Sequence, residues 1–143
     1  MPGLEDCKAI KLLSFDDGPD GYLSIGNSLG QIPFEIRRFY TITRLSQNAI
    51  RGRHAHKQLQ QAIFCVRGSA ELFLDDGKKT KTLRLESPDR GIYLPPGIWH
   101  EVSDFRNEAL ILVLASALFN ESDYIRDYEE FLRHVQTGPC SLS

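Results

Sequence analysis

The sequence predicts an all-β domain, either a sandwich or a barrel, with a single α-helix near its C-terminus. Short apolar segments recur along the chain, turn-forming residues separate them, and no helical periodicity fills the gaps between them. A chain of 143 residues is too short for two separately stable cores. We therefore expect one domain over residues 1–143.

The strand segments alternate with clusters of Asp, Gly and Pro. The expected strands are 9–13, 33–43, 61–66, 70–74, 80–85, 91–94, 99–102 and 109–115. The segment 70–74, the turn Asp75-Asp76-Gly77 and the segment 78–85 together indicate a hairpin, since Asp-Gly tolerates the positive φ that a tight turn needs.

The helix is expected over about 122–135, followed by a tail over 136–143. Ile125, Tyr128, Leu132 and Val135 recur at helical spacing, and Ser122 or Asp123 could cap the first turn. Gly138-Pro139 is a typical helix end, and residues 140–143 suggest a frayed terminus. We expect this helix to pack over the outside of the sheet.

Composition excludes several classes of protein. The net charge is −2, hydrophobic residues make up 41% and charged residues 25%, as in ordinary globular domains. No segment approaches the ~20 apolar residues that span a bilayer, and the N-terminus lacks the pattern of a secretory signal. Three widely spaced cysteines argue against a disulfide framework or a zinc knuckle and fit a cytoplasmic protein.

Charge is unevenly distributed. Residues 36–70 contain no carboxylate but carry Arg37, Arg38, Arg44, Arg51, Arg53, Lys57 and Arg67. Because arginine binds phosphate and carboxylate groups through two parallel hydrogen bonds, this segment indicates an anion site. A modest positive patch in an acidic protein fits a small anionic ligand better than a nucleic acid.

Two segments carry the chemistry. In Arg51-Gly52-Arg53-His54-Ala55-His56-Lys57 the two histidines face the same side of a strand, and the turn Pro95-Pro96-Gly97 leads into a third histidine, His100. The spacing of the first segment resembles the first cupin motif, and that of the second segment resembles the second cupin motif. Gln61 stands where the first motif has a glutamate. Two roles remain open: the histidines could hold a metal ion, although Gln61 and the nearby cations disfavour one, or one histidine could act as a general base.

A more specific resemblance covers about residues 9 to 135. The segments 32–40, 51–57, 68–69, 74–77, 99–101, 112–116 and 121–126 resemble the WxcM-like nucleotide-sugar 3,4-ketoisomerases. The resemblance implies a cupin jelly roll that binds a dTDP-4-keto-6-deoxyhexose and moves its ketone from C4 to C3 through an enediol. It implies no metal or other cofactor, and a place in the biosynthesis of unusual sugars for surface polysaccharides or glycosylated products.

The resemblance also implies roles for individual residues. His54 would be the base at C3, and His56 or Tyr40 would relay a proton. Arg51 would stabilise oxyanion or phosphate charge, Arg38 would bind the pyrophosphate, and Tyr93 and His100 would line the sugar pocket. Asp20 stands where the family often carries an arginine, so the configuration of the product at C4 is left open.

The same residues are also compatible with three other functions. A dTDP-sugar 3,5-epimerase could use the same base, a non-catalytic cupin could only bind a nucleotide sugar, and a metal-dependent cupin oxygenase could use the three histidines. The resemblance, together with the exposed strand edges of an isolated sandwich, predicts a homodimer.

Overall fold

A computed structural model describes residues 2–137. Within this range the strands are β1 (Ala9–Lys11), β2 (Leu13–Asp16), β3 (Tyr22–Ile25), β4 (Arg38–Ile42), β5 (Arg51–His56), β6 (Gln61–Asp75), β7 (Thr80–Leu85), β8 (Arg90–Leu94), β9 (Trp99–Ala115) and β10 (Tyr124–Ile125). The α-helix, α1, is Tyr128–Gln136, and short 3-10 turns occupy Leu4–Asp6, Gly18–Asp20 and Glu121–Asp123. No helix in the described range has the length and apolarity that crossing a membrane requires.

Eight of the strands form one antiparallel sheet that curls into a half-barrel. The strand order is β1-β8-β6-β9-β5-β10, with β4 also paired to β9 and β7 to β6. The two long strands, β6 and β9, pair with each other along most of their length. The all-β prediction is confirmed.

The sheet has a concave inner face and a covered outer face, because side chains alternate along each strand. On β6, Ile63 and Cys65 belong to the inner core, whereas Ala62 and Phe64 belong to the outer cluster. The loop before β4 supplies the buried Ile32 and Phe34 to that outer cluster. The inner face therefore remains available for a site.

The predicted hairpin is confirmed, with β6 and β7 paired from Ala70 opposite Leu85 to Asp75 opposite Thr80. Two pairs of expected strands prove to be single strands: β6 joins 61–66 to 70–74, and β9 joins 99–102 to 109–115. Register shifts between Cys65 and Glu71 absorb the Gly68 region without ending β6. Conversely, the expected strand 9–13 divides into β1 and β2, and only 38–42 of the expected strand 33–43 is extended and paired.

The helix prediction is wrong in its first turns. Residues 121–123 form a 3-10 turn, and β10 pairs Tyr124 with His56 and Ile125 with Ala55. Ile125 is fully buried against Ala55, Trp99 and Phe131, so packing against β5 outweighs the helical periodicity of this segment. The helix begins instead after Asp127, whose carboxylate accepts a hydrogen bond from the Glu130 N–H at 3.1 Å.

The α1 helix packs against Trp99, whose ring centroid lies 5.7 Å from that of Phe131. The helix thus covers one side of the sheet as expected. Its predicted end at Gly138-Pro139 and the tail over 140–143 lie outside the described residues.

Candidate active site

A cavity of about 480 Å³ opens on the concave face of the sheet. Its walls come from β4, β5, β6, β8 and β9, and the segment 119–126 closes one side. The apolar lining consists of Ile42, Ile50, Ile63, Leu94, Val102, Ile111 and Val113. The lining includes no carboxylate but three arginines, Arg38, Arg51 and Arg126. An apolar cavity with a cationic lining suits an organic anion.

His54 lies in this cavity with one ring nitrogen available. Its Nδ1 is 3.0 Å from the Gly52 carbonyl oxygen, which can only accept, so Nδ1 carries the hydrogen. Its Nε2 is buried and has no hydrogen-bond partner among residues 2–137. Burial lowers the pKa of His54, with smaller effects from the Gly52 hydrogen bond and nearby charges. The ring is therefore neutral at cellular pH and presents an unshared electron pair on Nε2.

Gly52 determines where His54 lies. Its φ is +84°, and a Cβ added to it would lie 2.9 Å from the His100 carbonyl oxygen. Glycine alone accommodates both the positive φ and this close approach. The resulting irregularity shifts the β5–β9 register between Gly52 and His54, which brings His54 opposite His100.

His56 lies beside His54, with their ring centroids 4.9 Å apart. Its Nδ1 is 3.1 Å from Asp123 Oδ2, and no group in the described part of the chain forms a hydrogen bond with its buried Nε2. Burial, reinforced by His54, Arg38 and Arg126, lowers the pKa of His56 to about 3. His56 lines a smaller neighbouring cavity of about 190 Å³, which shares Arg38 and Tyr124 with the large one.

Tyr40 and Gln61 form a pair on neighbouring walls of the large cavity. The Gln61 amide Nε2 donates to the Tyr40 hydroxyl oxygen at 3.2 Å. Burial raises the pKa of Tyr40, so the phenol is neutral. Because the Tyr40 oxygen already accepts a hydrogen bond, its own hydrogen is free to donate to a ligand.

His100 completes the group of three histidines. It is buried, its Nδ1 lies 3.4 Å from the Ile98 carbonyl oxygen, and burial lowers its pKa well below the usual value. The ring centroids of His54 and His100 are 4.7 Å apart, and those of His56 and His100 are 6.3 Å apart. Within residues 2–137, no group of three or more His, Cys, Asp or Glu side chains has an arrangement suited to holding a metal ion.

Both predicted arginines line the cavity. Arg51 is exposed, whereas the Nε of Arg38 is buried without a hydrogen-bond partner. The Arg38 guanidinium carbon lies 5.6 Å from the ring centroid of Tyr40 and 5.7 Å from that of Phe119. Arg38 is thus held between two aromatic rings with a donor still unused.

Tyr93 is not in the cavity, and its prediction as a pocket residue is wrong. Ile92 and Leu94 turn to the inner core, so the intervening Tyr93 faces the outer cluster. There its hydroxyl donates to Gln60 Oε1 at 2.8 Å, and its ring lies 6.2 Å from that of Phe34.

Among the aromatic and charged residues of the cavity, sequence reasoning missed three, Phe119, Tyr124 and Arg126. Arg126 makes two hydrogen bonds to Glu121, at 2.9 and 3.1 Å, and its guanidinium carbon lies 4.2 Å from the Tyr124 ring centroid. The family resemblance at 121–126 was the available signal, but this segment was interpreted as the start of the helix.

The geometry can be compared with known proteins. A family model described as WxcM-like, C-terminal, matches residues 5–136. A TDP-4-oxo-6-deoxy-α-D-glucose-3,4-oxoisomerase from Aneurinibacillus thermoaerophilus is 42% identical over 104 residues, which are 73% of this chain and 75% of that protein.

Solved structures agree. A 3,4-ketoisomerase from Helicobacter canadensis is 40% identical, with a TM-score of 0.88 over 92% of this chain and 98% of that one. A variant of the 3,4-ketoisomerase QdtA from Thermoanaerobacterium thermosaccharolyticum, solved with TDP-4-keto-6-deoxyglucose, is 34% identical, with a TM-score of 0.88 over 92% and 94% of the two chains.

Proposed function

The chain belongs to the WxcM-like, C-terminal family, and we propose that it is a sugar 3,4-ketoisomerase that moves the ketone of a TDP-4-keto-6-deoxyhexose from C4 to C3. The observation that carries this proposal is His54. A neutral imidazole with an unpartnered Nε2 lines a cavity of suitable size and charge. Such a group can remove a proton from carbon next to a ketone.

The first half of the reaction forms an enediol. The Nε2 of His54 takes the proton from C3, the C3–H electron pair becomes the C3–C4 double bond, and the carbonyl pair moves onto O4. The neutral hydroxyl of Tyr40 supplies a proton to O4, while the amide of Gln61 supports the charge left on the Tyr40 oxygen. In the second half, O3 loses its proton as the C3 carbonyl forms, and C4 receives a proton.

The cationic lining supports binding of the nucleotide. Arg38 and Arg51 lie at the cavity with donors available for the pyrophosphate, whereas the charge of Arg126 is paired with Glu121. His100 lines the sugar end of the cavity beside His54. Apolar residues form much of the remaining wall, and a lower local dielectric there strengthens the electrostatic stabilisation of the developing enediolate.

We also propose a homodimer, formed through the hairpin of β2 and β3. This hairpin is a separate two-stranded sheet whose Leu13, Phe15, Tyr22 and Leu23 are between 43% and 57% exposed. Two-stranded hairpins are marginal in isolation, and exposed apolar patches are typical of interfaces. The exposed turn of the hairpin carries Asp20, which does not line the cavity. Sedimentation analysis tests this proposal: a species of dimer mass is expected, and a monomer at micromolar concentration would contradict it.

The function is tested by incubating the protein with TDP-4-keto-6-deoxyglucose in deuterated water and following the sugar by NMR. The expected product has its carbonyl at C3, with deuterium at C4 wherever the proton on His54 exchanges with solvent before it returns to carbon. A carbonyl that stays at C4 while C3 exchanges would indicate an epimerase instead. Binding of TDP with neither exchange nor a shift of the carbonyl would indicate a protein that only binds the nucleotide sugar.

The role of His54 is tested by the variant His54→Asn. We expect turnover to fall by roughly 10²–10⁴-fold, as is typical when a general base is lost, while TDP affinity is retained. His134→Asn is a matched control, because His134 lies on α1 and does not line the cavity. Near-normal turnover in His54→Asn would refute the assignment.

A further inference from the structure

Asp123 makes an unusual set of contacts for a residue in a surface turn. Its Oδ2 accepts from the His56 Nδ1 at 3.1 Å and from the Leu59 N–H at 3.2 Å, and its Oδ1 accepts from the Gln58 N–H at 2.8 Å. The Asp123 side chain is 14% exposed and that of His56 is 3% exposed. The carboxylate is therefore fixed by two backbone groups and directed at one nitrogen of His56.

This contact determines which nitrogen of His56 carries hydrogen. A carboxylate accepts but does not donate, so it selects the form of the ring with hydrogen on Nδ1. The opposite nitrogen, Nε2, is then left with an unshared electron pair, and it is buried without a partner. The ring is also held against Tyr124, whose centroid lies 4.4 Å away, so rotation of the imidazole is restricted.

His54 has the same pattern with a different acceptor, the carbonyl of Gly52. Two adjacent imidazoles therefore each present an unprotonated Nε2 in the buried interior. The ketone shift needs two proton acceptors, because one proton leaves C3 and another leaves O3. The site thus contains one neutral imidazole for each departing proton.

We propose that Asp123 is a positioning residue, which holds His56 in the form whose Nε2 accepts the proton from O3 in the second half of the reaction. This inference rests on the proposed ketoisomerase function. The proton leaves O3 as the O–H electron pair becomes the C3 carbonyl bond. It reaches His56 through a water molecule in the smaller cavity, since His56 lines that cavity and not the large one. The C3–C4 pair takes the proton held by His54 at C4, and the proton on His56 is released to restore the Tyr40 hydroxyl.

The variant Asp123→Asn tests this role. Its amide cannot accept from His56 through nitrogen, so the ring is free to place its hydrogen on Nε2. In deuterated water, we expect His54 to continue exchanging the C3 proton of the substrate while ketone transfer falls. The ratio of C3 exchange to ketone transfer should rise at least tenfold. A proportional fall in both rates, with the ratio unchanged, would overturn the proposal.

Ser122→Ala is the matched control for loosening of the same turn. The Ser122 hydroxyl donates to Asn120 Oδ1 at 2.7 Å, and among the described residues it makes no hydrogen bond to His56 and lines neither cavity. We expect the ratio in this variant to equal that of the unmodified protein. An equal rise in Ser122→Ala would mean that turn rigidity, rather than the carboxylate, is responsible.

A second measurement needs no variant. The ¹⁵N NMR signals of His56 in the unmodified protein should show a protonated Nδ1 and an unprotonated Nε2; the reverse form would overturn the proposal even if Asp123→Asn does not fold. Ketone transfer by the unmodified protein depends on the proposed function alone, whereas the exchange ratio depends on Asp123. The two proposals can therefore fail separately.

Discussion

Replacing Gly52 with alanine tests whether the backbone irregularity before His54 builds the site. A left-handed backbone costs a non-glycine residue about 1–2 kcal/mol. The new Cβ would also lie 2.9 Å from the His100 carbonyl oxygen, 3.4 Å from His100 Cδ2 and 3.5 Å from the Glu101 Cα. Relieving such overpacking costs roughly 1–3 kcal/mol. We therefore expect Gly52→Ala to lower the free energy of unfolding by about 2–5 kcal/mol.

Gly18 provides a matched control for this variant. It also has a positive φ, of +60°, but a Cβ added there meets no atom within 4 Å. Gly18→Ala should show only the strain, about 1–2 kcal/mol in urea denaturation. It should leave kcat unchanged, because Gly18 is neither one of the four apolar residues proposed for the dimer contact nor part of the cavity lining.

Gly52→Ala should also lower turnover in the protein that remains folded. The Gly52 carbonyl accepts the Nδ1 hydrogen of His54, so any backbone shift that relieves the contact with His100 also displaces the base. Displacements on the scale of an ångström lower turnover by roughly 10²-fold. Steady-state rates measured where the variant remains folded provide the assay. Equal destabilisation of both alanine variants, with kcat intact in each, would refute the reasoning.

Three further predictions concern the cavity and its histidines. Arg38→Ala or Arg51→Ala should weaken TDP binding by about 1.5–3 kcal/mol in calorimetry, the range for hydrogen bonds to charged groups; an unchanged dissociation constant counts against a phosphate role. Tyr40→Phe should reduce kcat, whereas Tyr93→Phe should not, since Tyr93 faces the outer cluster; equal rates in steady-state assays would contradict this. Because the pKa of folded His56 is about 3, against 6.5 for an unperturbed histidine, the unfolded state takes up the extra proton between these values and stability falls as pH drops below about 6.5. The contribution of His56 to the free energy of unfolding changes by at most about 1.4 kcal/mol per pH unit. In urea denaturation, the free energy of unfolding should therefore fall less between pH 7 and pH 5 in His56→Gln than in the unmodified protein.

Local sequence patterns predicted the features that depend on neighbouring residues. Alternation along β5 explains why His54 and His56 both lie in the interior, and the Asp-Gly turn explains the β6–β7 hairpin. The same alternation could have placed Tyr93 correctly, because the adjacent Leu94 is a buried core residue. That error came from assigning a role by resemblance without applying the period of the strand.

Features that depend on distant pairing were not predictable in this way. Tyr124 and Ile125 fit a helical period, but they extend because β5 offers a free edge at Ala55 and His56. This pairing carries Phe119, Tyr124 and Arg126 to the cavity and brings Asp123 to His56. The sequence around residues 124 and 125 does not indicate that the edge of β5 is available for pairing.

The pairing of remote segments also bears on how the protein folds. Arg38 pairs with Ala115 and Arg51 with Val102, so opposite walls of the cavity meet only through partners far apart in the chain. Contacts of this kind form slowly, because the chain loses the entropy of closing a large loop before the contacts stabilise it. We therefore expect the pocket to form late in folding, so a bound nucleotide sugar should lower the rate of unfolding rather than raise the rate of folding.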